Sequence, residues 1–312
     1  MSTMSKPSPY ALQSQNPGDE FYKRTVARIE KIQSHLDTTP RGTRLKGKVC
    51  VITGVGSLKG IGRATALLYA HEGAQHLYLL DFDPTNLPDL KATIEQKYPD
   101  VKVTTQEADA ADEAIISAVC EQALQEEGRL DVFFANAGIA SAQPLSEIGP
   151  DDFMEVMRVN ALSCLLAIKH ASKAMVKTNV SRGKPHGGGS IILTASVAGL
   201  RSGAGSVDYS ASKAAVNNMA QTSAYQLQKS DVRVNSICPG LIETGMTIMM
   251  FDYARAKGSG GKIGQLNPMG RYGVAEGAFF ATSDESSYVN GQNWAVDGGL
   301  SSSVPVVPGR WA

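Results

Sequence analysis

From Lys46 to about residue 299 the chain repeats one rhythm: a short apolar run, then a longer segment with apolar residues at helical spacing. This alternation constrains the fold more than any other feature. A strand followed by a helix must cross over before the next parallel strand can pair, so a series of such units closes into a doubly wound parallel α/β sheet with helices on both faces. Strands are predicted at Val49–Thr53, His76–Asp81, 101–107, Val132–Ala135, 190–194 and 232–238, with a seventh at Asn293–Val296. Helical patterns occupy 61–72, 111–126, 153–177 and 212–229. At 312 residues and 42% hydrophobic, the chain can bury a large core in one such domain, residues 45–300, and requires no second.

Ligands of open α/β sheets bind at the carboxyl ends of the strands. There, Thr53-Gly54-Val55-Gly56-Ser57-Leu58-Lys59-Gly60-Ile61-Gly62 follows the first strand and opens a helix. Glycines let the backbone approach a pyrophosphate, and a helix N-terminus offers free N–H groups and a positive dipole end. By itself such a turn is a weak signal. The second strand ends in Asp81, an acid placed to accept both ribose hydroxyls of an adenosine and to repel a 2′-phosphate, which favours NAD over NADP. Lys59 argues the other way, as a cation that could serve a 2′-phosphate.

Further motifs follow in order: Asp109-Ala110 after the third strand, Asn136-Ala137-Gly138 after the fourth, Asn160 in the next helix, and Ser196 at the end of the fifth strand. Tyr209-Ser210-Ala211-Ser212-Lys213, Pro239-Gly240-Leu241-Ile242-Glu243-Thr244 and Asp297-Gly298-Gly299 complete the set. With these motifs the chain resembles the short-chain dehydrogenase/reductase family from about Lys46 to Gly299. The resemblance implies a single-domain Rossmann fold and a nicotinamide cofactor, held by Gly54, Ser57, Gly60 and Ile61 in the turn and by Asp81, Asp109 and Ala110 on the adenosine side. It further implies contacts from Asn136, Ala137, Gly138, Tyr209 and Lys213, and from Pro239, Gly240, Ile242 and Thr244 at the nicotinamide. Ser196, Tyr209, Lys213 and Asn160 are the implied catalytic residues. Tyr209 would exchange the proton of a secondary alcohol or ketone, and Ser196 would orient its oxygen. Lys213 would hold the ribose, and Asn160 would position a water leading from Lys213 to solvent.

Tyr209 and Lys213 are four apart and share a face if their segment is helical. An ammonium and an oxidised nicotinamide both favour a phenolate. A free tyrosine titrates near ~10, so work at neutrality needs a shift of roughly three units, about 4 kcal/mol. No metal is required by this arrangement. The Gly-rich turn is two residues longer than the family's usual TGxxxGxG and is similar to that of the enoyl-reductase branch. Those enzymes place six residues between Tyr and Lys, whereas three stand here, so carbonyl or alcohol chemistry is favoured over C=C reduction. Two alternatives stay open: an NADPH-dependent biosynthetic ketoreductase using Lys59, and a non-catalytic protein that keeps the fold.

The remaining segments carry fewer constraints. Residues 1–44 form an extension in which 20–36 reads as a helix, through Phe21, Val26, Ile29, Ile32 and Leu36. It could pack on its own subunit or on a neighbour. Residues 177–189 (KTNVSRGKPHGGG) read as a polar surface insertion, with His186 solvated. Residues 245–270, with Met246, Met249, Met250 and Phe251 before a KGSGGK run, read as a mobile cover for an apolar or cyclic substrate. The region after Gly270-Arg271 is shorter than usual before Thr282-Ser283-Asp284. The tail 301–312 holds Val304, Val306, Val307 and Trp311, which need cover; with the resemblance, this suggests a homo-oligomer, dimer or tetramer. Lys plus Arg equals Asp plus Glu, which does not favour nucleic acid or an anionic membrane. The cysteines Cys50, Cys120, Cys164 and Cys238 form no CxxC pair and read as reduced and buried. With no signal peptide and no run of about 18 to 20 apolar residues, the chain is expected in the cytoplasm.

Overall fold

The computed structural model describes residues 20–277 and 283–304. The expectations for residues 1–19, Thr282, Val306, Val307 and Trp311 lie outside those residues. Seven strands form one parallel sheet: β1 (Val49–Thr53), β2 (His76–Asp81), β3 (Lys102–Glu107), β4 (Val132–Ala135), β5 (Gly189–Thr194), β6 (Val232–Pro239) and, last in the chain, β9 (Asn293–Val296). Their order is β3-β2-β1-β4-β5-β6-β9, which is a doubly wound sheet. Two short strands, β7 (Ile242–Glu243) and β8 (Gly273–Val274), pair separately above the carboxyl edge of β6.

The longer helices are α1 (Glu20–Gln33), α2 (Ile61–His71), α3 (Leu87–Lys97), α4 (Glu113–Glu127), α5 (Pro150–Met157), α6 (Ser163–Met175), α7 (Val207–Gln226) and α8 (Ile248–Ala256). α4, α6 and α7 cover one face, where Val49, Val51 and Phe133 pack with Ile116, Ala167 and Val216. α2 and α3 cover the other, where Cys50, Ile52 and Phe134 pack with Tyr69 and Leu90. Because both faces are buried, the central strands are apolar throughout rather than alternating. The seam between β1 and β4 is where the strand order reverses, and it leaves a crevice at the carboxyl edge.

Several local features differ from the sequence expectation. The segment 153–177 is not one helix: a π-helical turn, Arg158–Leu162, separates α5 from α6. Such turns carry one residue more per turn and re-aim a side chain; here Asn160 is directed inward and fully buried. α4 begins at Glu113, because the Asp112 carboxylate caps the N–H groups of Ala114 and Ile115 at 2.8 Å and 3.2 Å. α7 begins at Val207, earlier than its apolar pattern, so Tyr209 and Lys213 do lie on one helix. α1 packs on its own subunit: Ile29 joins Phe251, Tyr272 and Val274 in a separate small core, with Phe251 edge-on to Tyr272 at 4.9 Å. The described part of the tail is also held by its own chain, through Arg201 Nη1 donating to the Ser301 carbonyl at 3.3 Å. The insertion 177–189 is not wholly at the surface, since Lys184 turns inward and is 5% exposed. His186 is exposed, and all four cysteines are free and buried. Among the described residues, no helix is long and apolar enough to cross a membrane.

Candidate active site

The Gly-rich turn lies between β1 and α2. Two of its glycines are fixed by close approach. A Cβ at Gly62 would stand 2.2 Å from the Gly54 carbonyl oxygen, and one at Gly56 would stand 2.8 Å from the Asp81 carboxyl carbon. α2 is capped by Gly60 without any side-chain acceptor, so the N–H groups of its first turn remain for an anion. Asp81 Oδ2 accepts from the Gly56 N–H at 2.6 Å, and Oδ1 accepts from the Asp83 N–H at 2.9 Å. The acid at the tip of β2 is thereby fixed beside the turn. Asp81, Asp109, Ala110, Ala137 and Gly138 border a cavity of about 330 Å³ at the seam. An open N-terminus, a glycine cradle and a lined cavity fit a dinucleotide.

Of the other predicted contacts, Asp109 lines this cavity. Asp109 accepts from the Ala111 N–H at 2.8 Å and from Arg158 at 2.7 Å. Burial opposes its ionisation, but these two donors outweigh it and hold the carboxyl below its ordinary range. Asn136 spans three strands: its Nδ2 donates to the Gly54 carbonyl at 2.9 Å, its Oδ1 accepts from Thr194 Oγ1 at 3.0 Å, and its N–H donates to Thr53 Oγ1 at 3.1 Å. After β6, the Gly240 N–H donates to the Val296 carbonyl at 3.0 Å, Ile242 enters β7, and the Thr244 N–H donates to Thr247 Oγ1 at 3.0 Å.

That last segment meets the Gly-rich turn directly. Lys59 Nζ lies 3.0 Å from Glu243 Oε1, and Arg255 of α8 donates to Glu243 Oε2 at 2.8 Å. A Cβ on Gly245 would stand 2.5 Å from Ser57 Oγ, so the two loops also touch there. Glu243 is 9% exposed; burial opposes its charge, but Arg255 and Lys59 hold it below the ordinary carboxylate range. Lys59 is thus directed to Glu243, whereas Asp81 faces the turn from the other side.

Ser196, Tyr209, Lys213 and Asn160 come together beside Gly138. A Cβ at Gly138 would stand 3.0 Å from Asn160 Oδ1 and 3.3 Å from Lys213 Nζ. Lys213, 3% exposed, donates to the Thr194 carbonyl at 2.8 Å and sits 5.6 Å from the centre of the Tyr209 ring. Burial pushes its pKa down. Ser196 lies two residues past β5 and accepts from the Ala198 N–H at 3.1 Å, and its hydroxyl is the neighbour that favours ionisation of the Tyr209 phenol. Asn160 accepts from the Ile139 N–H at 2.8 Å and donates to the Ile139 carbonyl and to Ser212 Oγ, each at 3.0 Å. Both its donors are therefore taken by the protein.

The phenol differs from the sequence argument. Burial raises the Tyr209 pKa, and the opposing influence is Ser196 rather than Lys213. The electrostatics of the protein alone leave this tyrosine protonated at neutral pH.

Sequence reading missed several groups. Thr53 and Thr194 anchor Asn136, Ile139 and Ser212 hold Asn160, and Glu243, itself gripped by Arg255, holds Lys59. Thr194 and Ser212 stand beside motif residues and could have been noted. The Lys59–Glu243 pair spans 184 residues and leaves no local trace. One cluster of potential metal ligands among the described residues, His76, Glu126 and Glu127, lies away from this site on β2 and α4. Lys102 Nζ is already 2.9 Å and 3.3 Å from its two carboxylates.

Comparison with known proteins agrees with this architecture. A family model described as Enoyl-(Acyl carrier protein) reductase matches residues 54–301. Levodione reductase of Leifsonia aquatica is 34% identical over 274 residues, covering 85% of this chain and 98% of that protein. The 3-oxoacyl-(acyl-carrier-protein) reductase FabG of Thermotoga maritima is 38% identical over 261 residues, covering 82% and 99%. The crystal structure of levodione reductase superposes with a TM-score of 0.73 at 33% identity, covering 83% of this chain and all of that one. A Beutenbergia cavernae structure described as an NAD(P)-dependent gluconate 5-dehydrogenase, with NADP bound at low occupancy, gives a TM-score of 0.71 at 30% identity, covering 85% and 100%.

Proposed function

Since the chain belongs to the short-chain dehydrogenase/reductase family and is an NAD(P)-linked oxidoreductase that transfers hydride to or from an alcohol or ketone, we propose that its cofactor is NAD(H) and that Tyr209 is the general acid/base. The observation that carries the reading is the convergence of Ser196, Tyr209 and Lys213 beside the cavity that Asp81 borders. In this reading the nicotinamide supplies or accepts the hydride. Tyr209 takes the proton from a secondary alcohol, or returns it to a ketone oxygen. Ser196 hydrogen-bonds that same oxygen and orients it. Lys213 holds the nicotinamide ribose, its reach set by the Thr194 carbonyl. Asn160 acts as a positioning residue, because its amide fixes the Ile139 backbone next to Gly138 and Lys213. Burial works against the phenolate, so the cationic form of the cofactor is the main group available to favour it.

NAD is preferred over NADP because a carboxylate at Asp81 would face a 2′-phosphate, while Lys59 is engaged by Glu243. Residues 245–270 act as the substrate cover, with residues 1–44 as an extension that braces it through Ile29. The exposed methionines Met249 and Met250 suit an apolar substrate. We also assign a homo-oligomer, a dimer or a tetramer. An apolar groove of about 570 Å³ between α5, α6 and α7, with Met154, Leu162 and Leu165 exposed along it, supports this assignment. Four free, buried thiols suit a reducing compartment such as the cytoplasm.

The test is kinetic. With a panel of secondary alcohols and ketones, NAD(H) is expected to support faster turnover than NADP(H); a strong NADP preference overturns the cofactor assignment. Tyr209→Phe is expected to lower kcat by about 10²- to 10⁴-fold while NADH binding persists. Wild-type turnover in that variant overturns the acid/base role.

A further inference from the structure

The insertion 177–189 builds something at the edge of the sheet opposite the Tyr209 site. Lys48, Asp131, Gly189 and Asp231 lie at the starts of β1, β4, β5 and β6, and with the insertion they enclose a cavity of about 310 Å³. Three of its lining side chains are buried cations: Arg129 at 7%, Lys184 at 5% and Arg233 at 8% exposure. Only one buried carboxylate, Asp131, lines it with them. Asp131 is committed to Arg129, which grips it through Nε and Nη2 at 2.8 Å each, and to the Val49 N–H at 2.9 Å. Lys48 pairs at the rim with the exposed Asp284 at 3.1 Å.

Lys184 and Arg233 lack a close countercharge of their own: the exposed carboxylates Asp231 and Asp284 also line the cavity and act on Arg233, but from beyond ion-pair distance. Lys184 Nζ donates to the Leu130 carbonyl at 2.6 Å and reaches Asp131 only at 3.8 Å. Arg233 donates to the carbonyls of Val289 and Ser283 at 3.1 Å and 3.3 Å, and among the described residues no carboxylate oxygen lies within ion-pair distance of it. Residues 278–282, which precede Ser283, are Ala-Phe-Phe-Ala-Thr and carry no charge. Carbonyls satisfy hydrogen bonds but do not neutralise, and a buried charge without a counter-ion is costly. In keeping with this, burial, together with Arg129 and Lys48 and against Asp131, pushes Lys184 down to about 8.

We propose that this cavity is a binding site for a small oxyanion of the phosphate class, held between Lys184 and Arg233. A guanidinium fork matches the oxygens of such an anion, and an ammonium adds a point charge. Glycines 187–189 put bare backbone on the wall. The site is separate from the nucleotide cavity, being at the amino ends of the strands rather than the carboxyl ends.

Inorganic phosphate is the probe. Titration calorimetry on the full chain is run at fixed ionic strength with saturating NAD, so that phosphate cannot report on the Gly-rich turn. Saturable binding near one per chain is expected in the wild type, weakened roughly tenfold or more in Lys184→Gln, which keeps a donor for the Leu130 carbonyl. A second measurement needs no variant: phosphate is expected to protect Lys184 of the wild type from acetic anhydride, read by mass spectrometry. Absence of saturable uptake, equal uptake by Lys184→Gln, or labelling of Lys184 indifferent to phosphate overturns the proposal.

Discussion

Burying Tyr209 raises its pKa, although acid/base work near neutrality needs it lower. A general acid can work with the raised value and a general base cannot, so under the proposed role the direction of catalysis would be coupled to the charge of the cofactor. Lys184 presents the matching problem for a cation. In the unfolded chain it titrates near ~10.4, and in the folded chain near about 8. Below pH 8 the amine is protonated in both states, and the folded state bears the burial cost. Between these two values the folded protein releases a proton that the unfolded chain keeps, so stability rises with pH. In phosphate-free buffer, denaturant unfolding should show wild type gaining on Lys184→Met by up to about 3 kcal/mol as pH climbs from 8 to 10; a constant gap would contradict this. The motif residues were legible in the sequence because their chemistry sits in short, ordered strings. Lys184 was not, because nothing in KTNVSRGKPHGGG distinguishes a lysine that turns inward from one that stays in water.

The elements explain what the extra length of the Gly-rich turn accomplishes. It carries Lys59 to Glu243 and Ser57 to Gly245, so the turn and the segment after β6 touch each other directly. If the cofactor sits on the Gly-rich turn as proposed, these contacts couple its release to the segment after β6. Glu243→Gln is expected to speed NADH dissociation by about five- to thirtyfold, equivalent to ~1–2 kcal/mol, in stopped-flow fluorescence. An unchanged rate would separate the contact from release. The order of strands and helices was readable from periodicity, whereas the π-helical turn at Arg158–Leu162 was not. A single continuous helix and two helices around a π turn share nearly the same apolar spacing. The difference is decided by Asn160, whose amide finds Ile139 and Ser212 only once the fold has formed. The helix of the extension was legible, but its partner, the Phe251–Tyr272 cluster, lies more than two hundred residues away in the chain.

For the molecule as a whole, the groove between α5, α6 and α7 is an apolar feature that stands open among the described residues. Leu165 is 46% exposed there, in a setting where a second copy would bury it. Leu165→Glu should reduce the mass measured by light scattering toward that of a smaller species, with the circular dichroism spectrum retained; an unchanged mass would move the subunit contact elsewhere. The four cysteines have a different consequence. Each is buried, and burial holds each thiol above its ordinary pKa, Cys120 at about 12. Only the thiolate attacks a maleimide. The native chain is therefore a blank background for site-specific dyes, and no cysteine need be removed before one is added. Leu58, 64% exposed next to Lys59, is a natural place to attach a reporter to the turn.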